Sequence, residues 1–297
     1  MFAKALFPTD FSTYANTVFA CLKDLKRVGL GTIVLLHVIR ESPIPMTESA
    51  KKEDLKRVEW SAKEQLNIAQ MALEGQGFRV ITLIKQGSPV EQILRTADEE
   101  RVSIIIMGAQ GKTLSAELLL GSVSYEVIRH ATVPVLIQKA EVVRQIGHLE
   151  CHLMCEQMFE RVLHPTDFSE YADAAFQLVK HLKSAGTQEV ILLHVQDERT
   201  LHHRTEEQIA EFDREDRMRL ENLCRSLRLF GLQARFLLQH GHPVRETLRV
   251  ADEQNASLIV LGSKGRSAIQ EILTGSTLEN VIRLSQQPVL VARCPTH

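Results

Sequence analysis

Two short stretches carry the residue types from which chemistry could be built. Gly108 to Ser122 reads GAQGKTLSAELLLGS and follows the strand-like run Arg101 to Met107, while Pro8 to Ser12 reads PTDFS and ends another such run. Gly108 and Gly111 remove Cβ atoms where backbone could pass close to a ligand, and Gly121-Ser122 offers N–H groups and a hydroxyl at a helix start. Lys112 can reach in from the loop. The layout suits an anion such as phosphate. The plainer alternative is a sharp exit from a sheet, with Ser122 as an ordinary N-cap. Asp10 offers a carboxylate able to accept hydrogen bonds from ribose hydroxyls. Its plainer role, shared with Ser12, is to cap the helix that follows.

The glycine stretch is neither of the two common phosphate motifs. A Walker A loop would need glycine at position 106, which is Ile106, and the spacing of Gly108, Gly111 and Gly121 is not that of the dinucleotide fingerprint.

A second copy bears on both stretches. LFPTDFSTYA at 6 to 15 returns as LHPTDFSEYA at 163 to 172, with eight of ten positions identical. TIVLLHV (32 to 38) returns as EVILLHV (189 to 195), and QGSPVEQILRTADEE (86 to 100) as HGHPVRETLRVADEQ (240 to 254). GSKGRSAIQEILTGS, Gly262 to Ser276, repeats the glycine stretch with its glycines and serine kept and most other side chains exchanged. Backbone geometry is what was retained. The copies are offset by 157 residues at Asp10 and Asp167 but by 154 at Gly87 and Gly241, so the second has lost three residues in between. Such ordered self-similarity implies two homologous domains, expected at 1 to 140 and 158 to 297.

The elements that must position these residues can be read from one copy. Short runs rich in β-branched residues alternate with longer amphipathic segments, the pattern of βαβ units around a parallel sheet. Strands are expected at 2 to 8, 31 to 39, 78 to 85, 102 to 108 and 133 to 138, and again near 159 to 165, 188 to 196, 233 to 239, 257 to 262 and 288 to 293. Leu55, Val58, Ala62, Leu66, Ala69 and Leu73 step by three or four and predict a helix that ends at Gly75 and Gly77. Pro89 and Pro243 sit at helix starts, where a missing N–H costs nothing. In such a sheet, ligands bind beyond the carboxyl ends of the strands, where every motif above falls. Between the copies, residues 141 to 157 form a connector in which Val142, Val143, Ile146, Leu149 and Leu153 recur at helical intervals, predicting a short helix.

Bulk composition narrows the function classes. Lys+Arg 35 against Asp+Glu 37, with 24% charged and 44% apolar residues, gives no electrostatic reason to expect nucleic acid. No run approaches the roughly 20 apolar residues of a membrane span, and Pro8 and Asp10 interrupt any secretory h-region. A cytoplasmic protein is expected. Five scattered cysteines (Cys21, Cys151, Cys155, Cys224, Cys294) fit reduced thiols better than a disulfide framework.

With these residues in view, the chain resembles the universal stress proteins of the UspA type in tandem form. The family motif G-2x-G-9x-G-[ST] is met by Gly108, Gly111, Gly121 and Ser122, and again by Gly262, Gly265, Gly275 and Ser276; the P-x-D-x-S turn and the LLHV run support it. The resemblance implies two doubly wound five-stranded parallel α/β sheets related by a pseudo-two-fold, of the adenine nucleotide alpha hydrolase-like type. It also implies ATP binding, with Mg2+ or Mn2+ on the phosphates. By position it assigns Pro8, Thr9, Asp10, Val38, Met107, Gly108, Gly111, Lys112, Gly121, Ser122 and Val123 to one site. The second takes Pro165, Thr166, Asp167, Val195, Leu261, Gly262, Gly265, Arg266, Gly275, Ser276 and Thr277. Asp10 and Asp167 would meet the ribose, the Val38 and Val195 backbone the adenine, and the glycine loops the phosphates. Family domains pair through their last strands, so an intramolecular pseudo-dimer, or a homodimer, and a signalling partner are implied.

The chain shows little to catalyse with. His240 and His242 lack the spacing of an adenylyl-transferase H-x-G-H, and no S-G-G-x-D-S loop follows the first strand. Without a placed nucleophile or general base, ATP would be held more than spent. A slow ATPase or nucleotidyl transferase is the competing class, and an interaction protein without nucleotide a third. His37 and His194, inside LLHV, read as satisfied core residues. Lys264 joins Arg266 as a second cation near the second loop. His148, Cys151, His152 and Cys155 share one face if the connector is helical and are soft ligands suited to Zn²⁺, although four ligands on one helix converge poorly on a tetrahedron.

Overall fold

The structure is a computed structural model that describes residues 2–12, 15, 22–40, 47–109, 120–145, 148–153, 157–264 and 276–294. The chain falls into two compact units. One is built on the described residues of 1–135 with the hairpin at 140–153, the other on Leu136–Lys139 with the described residues of 154–297.

In the first repeat, β1 (Lys4–Pro8), β2 (Thr32–Ile39), α1 (Glu48–Gly75), β3 (Arg79–Gln86), α2 (Pro89–Glu99), β4 (Ile104–Gly108), α3 (Ser122–His130) and β5 (Val135–Gln138) follow in that order. Their sheet order is β3-β2-β1-β4-β5. β1 lies parallel to both β2 and β4, with Leu6 opposite Val34 on one side and Ile105 on the other. This adjacency sets the PTDFS turn, at the end of β1, beside the end of β4, where the glycine stretch begins. Ile104, Ile105 and Ile106 are buried, as a central strand covered on both faces requires. Along α1 the predicted stripe is the inner one: Ala62, Leu66 and Leu73 are buried, and Gly77, at φ 82, turns the chain just beyond the helix. Pro89 occupies the first turn of α2, as expected.

The connector differs from expectation. β6 (Ala140–Gln145) and β7 (His148–Leu153) form a two-stranded antiparallel hairpin, with Val142 opposite Cys151 and Glu141 opposite His152, where a helix had been predicted. Short apolar runs with β-branched residues satisfy both periods, and strand pairing won here.

The second repeat continues with β8 (Arg161–Pro165), α4 (Glu170–His181), β9 (Glu189–Asp197), α5 (Glu206–Leu229), β10 (Gln233–Gly241), α6 (Pro243–Glu253), β11 (Leu258–Gly262), α7 (Ser276–Leu284) and β12 (Val289–Ala292). The order β10-β9-β8-β11-β12 is parallel at every pair. The helix corresponding to α1 is α5, opened by a capping box at Thr205 and Gln208 and buried along Leu220, Cys224 and Leu227. No described helix is long and apolar enough to cross a membrane.

Candidate functional site

The turn after each first strand is built the same way twice. Thr9 N–H donates to the Leu36 carbonyl at 2.8 Å, and Thr166 N–H to that of Leu193 at 2.8 Å, so both turns hang from the neighbouring strand. The threonine hydroxyl then accepts from the N–H two residues on, Phe11 or Phe168, at 3.1 Å in each copy. The aspartate Oδ1 does the same for Ser12 at 3.0 Å and Ser169 at 3.1 Å. Two successive Asx- and ST-type bonds curl the backbone tightly. They leave Phe11 and Phe168 at φ 59, in the left-handed region that a bulky residue seldom takes. Ser169 caps α4 as expected, its Oγ accepting from Ala172 N–H at 3.3 Å, and Ser12 Oγ accepts from Ala15 N–H at 3.1 Å in the same way.

What compensates the unusual phenylalanine is a histidine. His37 Nδ1 lies 2.9 Å from the Thr9 carbonyl and its ring stacks on Phe11 at 4.4 Å. His194 Nδ1 lies 2.7 Å from the Thr166 carbonyl, with Phe168 at 4.6 Å. A carbonyl can only accept, so Nδ1 carries the proton in both. These histidines are satisfied, as expected, but they also brace the turn. Phe11 and Phe168 were passed over in reading the sequence, although their recurrence inside PTDFS was the available signal.

Asp10 therefore has a structural duty, and a carboxylate has lone pairs for several donors. Pro8 ends β1 and Thr9 is buried; Pro165 ends β8 and Thr166 is buried; Asp10 and Asp167 are half-buried beyond them. Val38 and Val195 are half-buried in β2 and β9. These groups meet at the carboxyl edge of each sheet, where the ends of β4 and β11 bring Met107, Gly108, Leu261 and Gly262.

At the first glycine stretch, Gly121 N–H donates to the Ala109 carbonyl at 2.8 Å, fastening the start of α3 to the end of β4. Buried Ser124 adds a bond from its hydroxyl to the Gly108 carbonyl at 3.0 Å. Gly121, not Ser122, is the N-cap, with φ −63 and ψ 146 and no side-chain acceptor to offer. The first turn of α3 thus presents N–H groups at the positive end of its dipole, with Ser122 exposed and Val123 half-buried on it. In the second repeat α7 opens at Ser276-Thr277. Lys264 Nζ lies 5.8 Å over the Tyr171 ring. Gly111, Lys112, Gly265, Arg266 and Gly275 lie outside the described residues.

The remaining expectations resolve separately. His240 Nε2 contacts Asp213 at 2.9 Å on the surface, and His242 precedes α6. In the connector, His148, Cys151 and His152 stand on β7 and Cys155 lies outside the described residues, so the shared helical face that motivated a zinc site is gone. Among the described residues no group of three or more His, Cys, Asp or Glu could hold a metal ion.

Comparison with known proteins matches residues 1–139 and 158–293 to the universal stress protein family. The universal stress protein MJ0577 of Methanocaldococcus jannaschii is 35% identical over 155 residues, 46% of this chain and 96% of its own length. The universal stress protein YxiE of Bacillus subtilis is 32% identical over 148 residues, 46% of this chain and its entire length. Each such relative thus spans about one repeat. The crystal structure of a universal stress protein from Archaeoglobus fulgidus is similar over nearly the whole chain, with TM-score 0.73, 27% identity, and 98% and 96% of the two chains covered. The family match covers most of the sequence in two segments, the two repeats, and the chain belongs to the universal stress protein family in its tandem two-domain form.

Proposed function

We propose that each repeat binds ATP at the carboxyl edge of its sheet, and that the occupied and empty states give a nucleotide-dependent stress or signalling module different contacts with its partner. The two domains are taken as residues 1–140 and 158–297, joined by 141–157, in a cytoplasmic protein. The observation that carries the reading is the recurrence, to within 0.2 Å in every paired bond, of the braced Thr-Asp-Phe-Ser turn beside the end of the glycine-bearing strand. A carboxylate for ribose hydroxyls then follows β1, and the adjacent β4 is bonded at its end to a helix start whose cap residue, Gly121, has no side chain to compete for an anion. That donor set fits a triphosphate. Mg2+ or Mn2+ would accompany the phosphates and offset their charge.

The test is retention. Protein mixed with ATP and desalted should keep about two nucleotides per chain and release ADP only over hours. Protein that emerges without nucleotide overturns the reading, and turnover on the scale of ordinary enzymes, about 1 s⁻¹ or faster, would replace it with an ATPase.

A further inference from the structure

Beneath the Thr166–Ser169 turn, the second repeat holds a polar cluster. Asp216, on α5, lies with Oδ2 3.3 Å from His194 Nε2 and accepts from Gln196 Nε2 at 2.8 Å. The side chains of His194 and Asp216 are about nine-tenths buried, and Gln196 is 7% exposed. One turn further along α5, Arg219 stands 3.9 Å from the other Asp216 oxygen and covers the Phe168 ring at 5.3 Å. His194 in turn holds the Thr166 carbonyl and Arg219 the phenylalanine next to Asp167, so α5 grips both sides of the aspartate.

In the first repeat the corresponding positions are different. Buried Leu66 and Leu73 match Leu220 and Leu227, which places Ala62 where Asp216 stands and Gln65 where Arg219 stands; Ile39 matches Gln196. Ala62 and Ile39 are both buried and apolar, and the Gln65 amide is directed to Ser61 at 3.5 Å. From these positions α1 can supply neither a carboxylate for a histidine nor a cation for the phenylalanine.

We infer that Asp216, seconded by Arg219, is a positioning residue for the second nucleotide site. The inference rests on the nucleotide reading above. A turn held in its binding geometry before the ligand arrives loses less freedom on binding, and a carboxylate among buried polar partners fixes a ring far better than a methyl group does.

Titration calorimetry with ATP tests this in a Gly121→Asp background, which leaves the second site to be read alone. Asp216→Ala should weaken ATP there about tenfold. Asp216→Asn should lose less than Asp216→Ala, since its amide oxygen can still accept from Gln196. Arg219→Gln, a change at a half-exposed side chain that leaves the core intact, should cost about threefold. The 15N shifts of the His194 ring, which report its proton positions, should move in Asp216→Ala and far less in Arg219→Gln. If Asp216→Ala fails to fold, Arg219→Gln with parental affinity overturns the inference by itself. Folded Asp216→Ala with parental affinity overturns it while leaving the proposed function intact. Wild-type chain that binds no ATP overturns both.

Discussion

Gly262 is pressed against the backbone of Tyr171: a Cβ on the glycine would lie 2.5 Å from the tyrosine carbonyl carbon and its oxygen, and 2.9 Å from its Cβ. Tyr171 stands in the first turn of α4, so the start of that helix packs onto the end of β11 at the point where the glycine stretch begins. Close approach was the expected reason for a glycine here, with a ligand as the neighbour. The neighbour is the protein's own helix.

Gly262→Ala should therefore destabilise the second repeat whether or not nucleotide is present, by about 1–3 kcal/mol, the usual cost of overpacking. The atoms in the way are mainly backbone, so Tyr171→Ala in the same chain should recover little of the loss. Urea denaturation of the single and double variants checks both statements. A Gly262→Ala chain as stable as the parent would show that α4 yields without strain.

Gly121 supports the opposite kind of experiment. Its φ of −63 and ψ of 146 are open to any residue, and its place as the N-cap of α3 favours Asp. Gly121→Asp should keep stability within a few tenths of a kcal/mol while setting a negative charge where phosphate is proposed to bind. Loss of one of two bound ATP molecules, with an unchanged unfolding midpoint, is the expected result. Two ATP molecules retained with ordinary affinity would remove the phosphate from the start of α3.

Ser124 ties the same loop from beneath. Its hydroxyl donates to the Gly108 carbonyl at 3.0 Å in a buried setting, and the corresponding residue of the second repeat is Leu278. Ser124→Ala should cost about 1 kcal/mol, the net worth of one such bond, and weaken ATP at the first site alone. Calorimetry on the variant would show whether the weakened site is the one that Gly121→Asp removes.

Much of this architecture was legible because its signals are redundant. Ile104 to Met107 and Leu258 to Leu261 are unbroken apolar runs of the kind a strand covered on both faces requires, and the two copies corroborate one another. The connector had one copy and an ambiguous period. Val142 and Val143 favour a strand, Leu149 and Leu153 are spaced for a helix or for alternate strand positions, and nothing in composition decides between them. At the site, Asp10, Asp167 and the glycines could be picked out by residue type. The braces could not: His37 to Thr9 spans 28 residues and Asp216 to Gln196 spans 20, contacts that exist only once the sheet and its helix are packed. Phe11 and Phe168 at φ 59 defy the propensity rules that a sequence reading must apply, since glycine or asparagine would be expected there.

His164 contributes to the acid side of the stability curve. It is fully buried in β8, where the first repeat has Phe7, and its Nδ1–H donates to the Val260 carbonyl at 2.9 Å. Its Nε2 has no hydrogen-bond partner among the described residues. Burial, the dominant cause, pushes the ring below the ordinary histidine range, against weaker opposing effects of the Val260 bond and of Asp167 and Asp173. The folded state thus keeps His164 neutral while the unfolded chain takes up a proton near pH 6.5. The unfolded state binds more protons, so stability rises with pH. The contribution of His164 is complete above about pH 6.5 and is lost as pH falls below that value towards the depressed folded one. His164→Phe, which copies the first repeat and removes an unsatisfied buried nitrogen, should abolish this part of the acid sensitivity. Urea midpoints measured from pH 8 down to pH 5 should fall more steeply in the parent than in the variant, and parallel curves would show that the ring does not titrate on unfolding.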